Sequence, residues 1–196
     1  MGLVRSLALS LVLISMTACS APAENTAATE AAVTAEAAAA QLELEDLIRV
    51  TRVLHEKFTS LAEAIPEDDL AWRPVSGVRS VSEVYVHIAA DNWYVPALMG
   101  WDAPDETGVT ADVETFRTYQ DQEMSRADML QVLDGSFDFL LGAMEESSGE
   151  LDREVVLGTP TTVGDVWIRA VVHLHEHLGQ SIAYARTNEV VPPWSR

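Results

Sequence analysis

The sequence predicts an all-α protein organised as a four-helix bundle. Four long stretches repeat apolar residues at three- and four-residue steps. Three of them open on a hydroxyl followed three residues later by a carboxylate, the signature of a capped helix start. No run alternates polar and apolar residues convincingly enough to specify a strand. A long connection between the second and third stretches, with shorter ones on either side, suits a bundle.

In chain order, residues 1–18 read as an export signal: one positive charge at Arg5, an apolar and small-residue run from Leu7 to Ile14, then Ser15-Met16-Thr17-Ala18. The run is too short to span as a mature transmembrane helix. Cys19 follows and is the only cysteine, so no intramolecular disulfide can form. Its setting resembles a bacterial lipobox, with Met16 where leucine is usual. That resemblance implies cleavage before Cys19, lipid on its sulfur and amine, and an exported protein held to a membrane facing the periplasm or cell exterior. Cleavage nearby to release a soluble protein, or an unprocessed anchor, are the alternatives.

Residues 19–40 hold eleven alanines in twenty-two positions, with Glu24, Glu30 and Glu36 and no aromatic residue. Such a segment has little to bury and reads as a tether whose last part can join the first helix. The folded domain is then 41–196. The first helix, about 41–65, places Leu44, Leu47, Ile48, Leu54, Phe58 and Leu61 on one side and is closed by Pro66. The second starts at the capping box Ser80-Val81-Ser82-Glu83 and runs toward Met99, with Gly100 as its stop and Pro96 in its last turns. A polar connection over 101 to about 124 has room for a short helix near 111–121. The third helix starts at Ser125-Arg126-Ala127-Asp128 and ends at Ser147-Ser148-Gly149. The fourth starts at Thr162 and continues to about Thr187, before Pro192-Pro193.

Composition bounds the function. Apolar residues make up 48% of the chain and charged ones 22%, which excludes wholesale disorder. Twelve basic against 31 acidic side chains give a net charge of -19, so nucleic acid is excluded as a partner of the folded part. Such charge favours solubility and attracts cations, but it identifies no substrate.

Five histidines carry the remaining chemistry: His55, His87, His173, His175 and His177. His173 and His177 are four apart, so on a helix their rings leave one face a turn from each other. His87 borders the apolar stripe of the second helix and can face inward. Imidazole suits zinc, nickel, copper and ferrous iron, and three nitrogens from two helices would leave coordination positions open. Spacing alone fits a hydrogen-bonded pair at least as well. His175 projects about 200° from His173 around the helix and belongs outside the group, while His55 reads as an outer-face residue. The zinc-peptidase pattern begun at His175-Glu176 fails, because Gly179 stands where its second histidine is required.

Several stretches together change this balance: Trp72-Arg73-Pro74, Gly77 through Val84, His87-Ile88-Ala89-Ala90, His173 through Gln180, and Ile182 through Arg186 with the ending Val191 to Ser195. They resemble the DinB-like family over essentially all of 41–196. The resemblance implies a bundle of the DinB-like type and a three-histidine metal site with His87, His173 and His177 as ligands. The cofactor is then a divalent ion, zinc or nickel foremost, with iron, manganese and copper also open. Asp91, four after His87, is either an acceptor for a ring N–H or a solvated acid. Gln180 either orients a water or substrate or bonds across helices, and Asn92 is read at a pocket mouth. Gly179 is read as a point of close helix approach.

Three functions remain. One is a metal-dependent enzyme acting on a small molecule: an ion held by three imidazoles suits hydrolysis, group transfer or isomerisation, and kinship with the wider superfamily implies the thiol-dependent transferase or isomerase type. The second is a non-enzymatic metal- or ligand-binding module at the envelope, and the third a structural bundle. A homodimer through helix faces is compatible with the family, although no stripe demands one.

Overall fold

The computed structural model describes residues 24–195; the export signal expected over 1–18 and the lipidation expected at Cys19 lie outside the described residues. Five α-helices are present among them: α1 (Glu24–Ala64), α2 (Val81–Leu98), α3 (Val113–Gln120), α4 (Arg126–Glu146) and α5 (Val163–Thr187). A short hairpin of β1 (Glu154–Leu157) and β2 (Thr159–Thr162) lies between α4 and α5. The architecture is mostly helical, as the periodicity predicts, and the short helix expected near 111–121 is present as α3. No helix among the described residues is long and apolar enough to cross a membrane.

Two boundaries differ from expectation. α1 starts at Glu24 rather than near 41. Alanine has the highest intrinsic helix propensity, so an alanine-rich stretch forms helix without an apolar face to bury. The chain divides into units over 1–35 and 36–196, and in the first Val33 is exposed. The second difference is the hairpin, which was not expected. Its pairing runs from Glu154 with Thr162 to Leu157 with Thr159, and Gly158 makes the turn at φ +73°. Glu154 and Val156 are exposed while Val155 and Leu157 are half-buried, but four residues are too few for that alternation to stand out.

The unit over 36–196 is organised around α2. This helix packs against α3, α4 and α5, and its apolar residues lie all round rather than on one stripe, as in a helix enclosed by neighbours. Its start is the expected capping box: Ser80 Oγ accepts from the Glu83 amide, and the Glu83 carboxylate accepts from the Ser80 amide at 2.8 Å. Pro96 lies inside the last turn, where it supplies no amide hydrogen for the Asn92 carbonyl, and the helix ends two residues later at Leu98, after which Gly100 takes φ +99°. Phe58 of α1 meets Tyr85 of α2 edge-on at 6.2 Å and Phe137 of α4 at 5.9 Å, all fully buried. Each of the two phenylalanines contributes about 1.5–3 kcal/mol by leaving water. His55, expected on an outer face, instead lies in the seam between α1 and α4, stacked on Phe137 at 4.6 Å with Nε2 at 2.8 Å from Asp134. Its flat apolar ring faces explain why that seam accepts it.

Candidate metal centre

α2 and α5 bring one side-chain cluster together. Because α2 is enclosed, His87 is only 7% exposed, and Asp91, one turn further on, points the same way. α5 is amphipathic, and His173, His177, Gln180 and Tyr184 follow one another on a single face at helical spacing. One ligand atom from each of His87, Asp91, His173 and His177 lies within 4.8 Å of the others. The ring centroids are 4.8 Å apart for His87 and His177, 5.7 Å for His87 and His173, and 4.4 Å for His173 and His177.

The same nitrogen of each ring points inward. His177 Nε2 is 3.1 Å from His173 Nε2, and Asp91 Oδ2 is 3.0 Å from both His87 Nε2 and His173 Nε2. The opposite nitrogens of two rings are held from outside. His87 Nδ1 is 3.1 Å from Gln120 Oε1, and that oxygen also accepts from the Arg79 guanidinium at 2.8 Å. A guanidinium only donates, so the atom facing it is the carbonyl oxygen and His87 carries its proton on Nδ1. His177 Nδ1 likewise donates to Gln180 Oε1 at 2.9 Å, while Gln180 Nε2 donates to the Tyr184 hydroxyl at 3.0 Å. That hydroxyl donates to the Arg79 carbonyl at 3.3 Å, joining both glutamines in one chain of hydrogen bonds. With Nδ1 of both rings committed as donors, the neutral forms of His87 and His177 turn an Nε2 lone pair toward the cluster, the tautomer a metal requires.

Electrostatics divides the three rings. Burial lowers the pKa of His87 to about 4, and burial also lowers that of His177. The hydrogen bond that the His173 ring donates to the Asp91 carboxylate raises that of His173. Three imidazoles and one carboxylate form a donor set that can hold zinc, nickel, iron, manganese or copper. Asp91 therefore faces the inward Nε2 atoms themselves, rather than bracing a ring from behind.

The other candidates are distributed as follows. Asn92 is buried and donates to Ser136 Oγ of α4 at 3.1 Å, so its amide is engaged in the core although the residue also lines a cavity beside the cluster. His175 is exposed and its Nδ1 donates to the Val171 carbonyl at 2.8 Å. Gly179 is no close approach point, since a Cβ there would meet nothing within 4 Å. Gln120, Arg79 and Phe116, whose ring meets His87 edge-on at 5.8 Å, were not singled out from sequence. Two of them belong to α3 inside a polar connection, where a glutamine or phenylalanine carries no local signal of an imidazole partner.

Two recesses adjoin the cluster. An apolar cavity of about 480 Å³ is lined by Asp91 and His173 among others. A polar recess of about 1120 Å³ is lined by Arg79, Gln120 and Gln180.

Residues 49–181 match the model of the DinB superfamily. A crystal structure of a DinB-like protein from Bacillus subtilis is similar over 74% of this chain and 94% of that one, with a TM-score of 0.55 and 19% identity, which supports the fold alone. No curated protein sequence matches it significantly. The family match spans most of the bundle, including all four residues of the cluster, and the chain belongs to the DinB superfamily.

Proposed function

We propose that the protein is a metal-dependent enzyme in which His87, His173 and His177 hold a divalent cation through Nε2, and that its reaction is a hydrolysis or thiol-dependent group transfer on a small molecule. The observation that carries this reading is the convergence of three Nε2 atoms and a carboxylate, with the Nδ1 protons of two rings already engaged by glutamine carbonyls. The adjoining cavity supports catalysis over mere storage, because Asp91 and His173 both lie in its wall. An ion held by these residues would supply Lewis acidity, able to polarise an acceptor oxygen and to acidify a water or thiol.

The chain's own groups do the rest. Gln120 and Gln180 fix the ring orientations so that no reorganisation precedes binding. Asp91 Oδ2 is the proton acceptor: it is 16% exposed, within reach of the ring nitrogens, and open to the cavity. The signal-like run over 1–18 and the lipobox-like setting of Cys19 are what support a placement at the cell envelope through a lipid anchor.

Metal analysis of protein purified from its native envelope tests this reading. About one divalent ion per chain is expected, with a melting temperature that falls on chelation. Less than about a tenth of an equivalent, with melting unchanged by chelator, overturns it.

A further inference from the structure

Among the described residues, Arg169 and Arg186 are the two basic side chains with no ion pair, hydrogen bond or ring contact. The others are engaged, for example Arg52 with Glu145, Arg73 with Glu83 and Arg126 with Glu67. In a chain of net charge -19, with carboxylates in large excess, a cation left without a partner is unusual. Arg169 lines the apolar cavity beside the metal-binding cluster. It precedes His173 by four residues on α5, so the two share a face one helical turn apart.

Most of the remaining wall is aliphatic and comes from four elements, including Val95 and Leu98 of α2, Leu140 of α4, Leu157 of β1 and Val166 of α5. A volume of about 480 Å³ accommodates a small organic molecule. Asp91 and Glu176 also line it, at the end nearest the cluster. They disfavour a dianion such as a phosphate monoester, whose second charge no cation in the cavity wall would meet. A single negative charge on an apolar body matches what the wall offers.

We infer that this cavity binds an amphipathic monocarboxylate as the substrate, its aliphatic or aromatic body on the apolar wall and its carboxylate on Arg169. The inference rests on the proposed metal enzyme only for the word substrate; the binding itself follows from the cavity. Arg169 is then a specificity residue, holding the acid end one turn from the imidazoles while the rest of the molecule presents a reacting group to them.

Calorimetric titration of the full chain with octanoate and with octan-1-ol, zinc-loaded and metal-free, tests the assignment. Octanoate is expected to bind more tightly than the alcohol. Arg169→Gln, a change at an exposed position, should weaken octanoate by about tenfold and leave octan-1-ol within about twofold. Ala170→Phe, which fills the cavity from the same helix, should weaken both. Octanoate binding that survives Arg169→Gln unchanged, or that disappears on chelation while indifferent to Arg169, overturns the assignment, since the carboxylate would then sit on the metal. Ligands that still bind Ala170→Phe normally also overturn it. Zinc stoichiometry on the same samples separates the two readings: zinc bound without octanoate ends the cavity assignment alone, and octanoate bound with no zinc uptake ends the metal reading and supports the cavity.

Discussion

Gln120 Oε1 lies 3.1 Å from His87 Nδ1 and 2.8 Å from the Arg79 guanidinium, so one carbonyl oxygen fixes both the tautomer and the orientation of the most buried ring in the cluster. Replacing Gln120 by leucine removes that acceptor while keeping the volume similar. Zinc affinity, measured by competition with a chromophoric chelator, should fall by about 10–100-fold, the usual consequence of losing a ligand's outer partner. Gln120→Glu should retain more affinity, because a carboxylate still accepts from Nδ1. Unchanged affinity in the leucine variant would show that packing alone orients the ring.

The three histidines of α5 allow the two proposed ligands to be told from a bystander. His173→Ala and His177→Ala each remove an inward Nε2 and should abolish stoichiometric metal binding in equilibrium dialysis. His175→Ala breaks only a bond to the Val171 carbonyl on an exposed surface and should bind normally. The ion would tie α2 to α5, so the first two variants should also lose the chelator-sensitive part of the melting temperature. Equal loss from all three would mean that the inward face of α5 is assigned wrongly.

Acid should act on the metal-free protein in a definite direction. The unfolded value of a histidine is 6.5, and burial holds His87 at about 4 in the fold. Between those values the unfolded chain binds the proton that the fold refuses, so stability falls as pH drops from about 6.5 to about 4. His177, also lowered by burial, adds to this trend. His173 is shifted the other way by Asp91: the fold holds its proton above the unfolded value, and stability from that pair is lost as pH rises through the folded value. Melting temperatures across pH should therefore decline on the acid side, and His87→Asn should flatten that decline. A variant with the same acid limb as the parent would place the titration elsewhere.

These outcomes also bear on how far the amino-acid sequence discloses the site. The period of apolar residues and the hydroxyl-carboxylate caps mark α2, α4 and α5 closely, because both signals are local and both depend on bonds formed within a few residues. The four-residue spacings His173 to His177 and His87 to Asp91 are local in the same sense and place each pair on one face. That the two faces meet is a tertiary fact, which entered the sequence reading only through family resemblance. Gln120 and Arg79 come from a connection and a helix flank, and their partners are separated by 33 residues and 41 residues. No periodicity reports such a contact. The hairpin was missed because Thr159-Pro160-Thr161-Thr162 has neither strand length nor alternation, its pairing being imposed by the turn at Gly158.

Arg126 illustrates a long-range contact with a consequence for stability. It is the first residue of α4, where the helix dipole disfavours a positive charge, so its presence there calls for a compensating partner. That partner is the C-terminal end of α1, whose last turn contains no basic residue of its own and whose final carbonyls lack intrahelical donors. The guanidinium donates to the Glu63 carbonyl at 3.2 Å, to the Ala62 carbonyl at 3.4 Å and to the Ile65 carbonyl, while Nε meets the Glu67 carboxylate at 2.7 Å. One side chain thus caps α1 and fastens it to the start of α4. Arg126→Ala should cost about 1–3 kcal/mol, the range for charge-assisted hydrogen bonds to groups left partly buried, and lower the melting temperature by several degrees. Arg126→Lys should recover only part of this, because one ammonium cannot reach three carbonyls and a carboxylate with the geometry of a planar fork. Metal stoichiometry should be untouched in both, as none of these groups belongs to the cluster. A melting temperature equal to the parent's in the alanine variant would mean that water satisfies the end of α1 equally well.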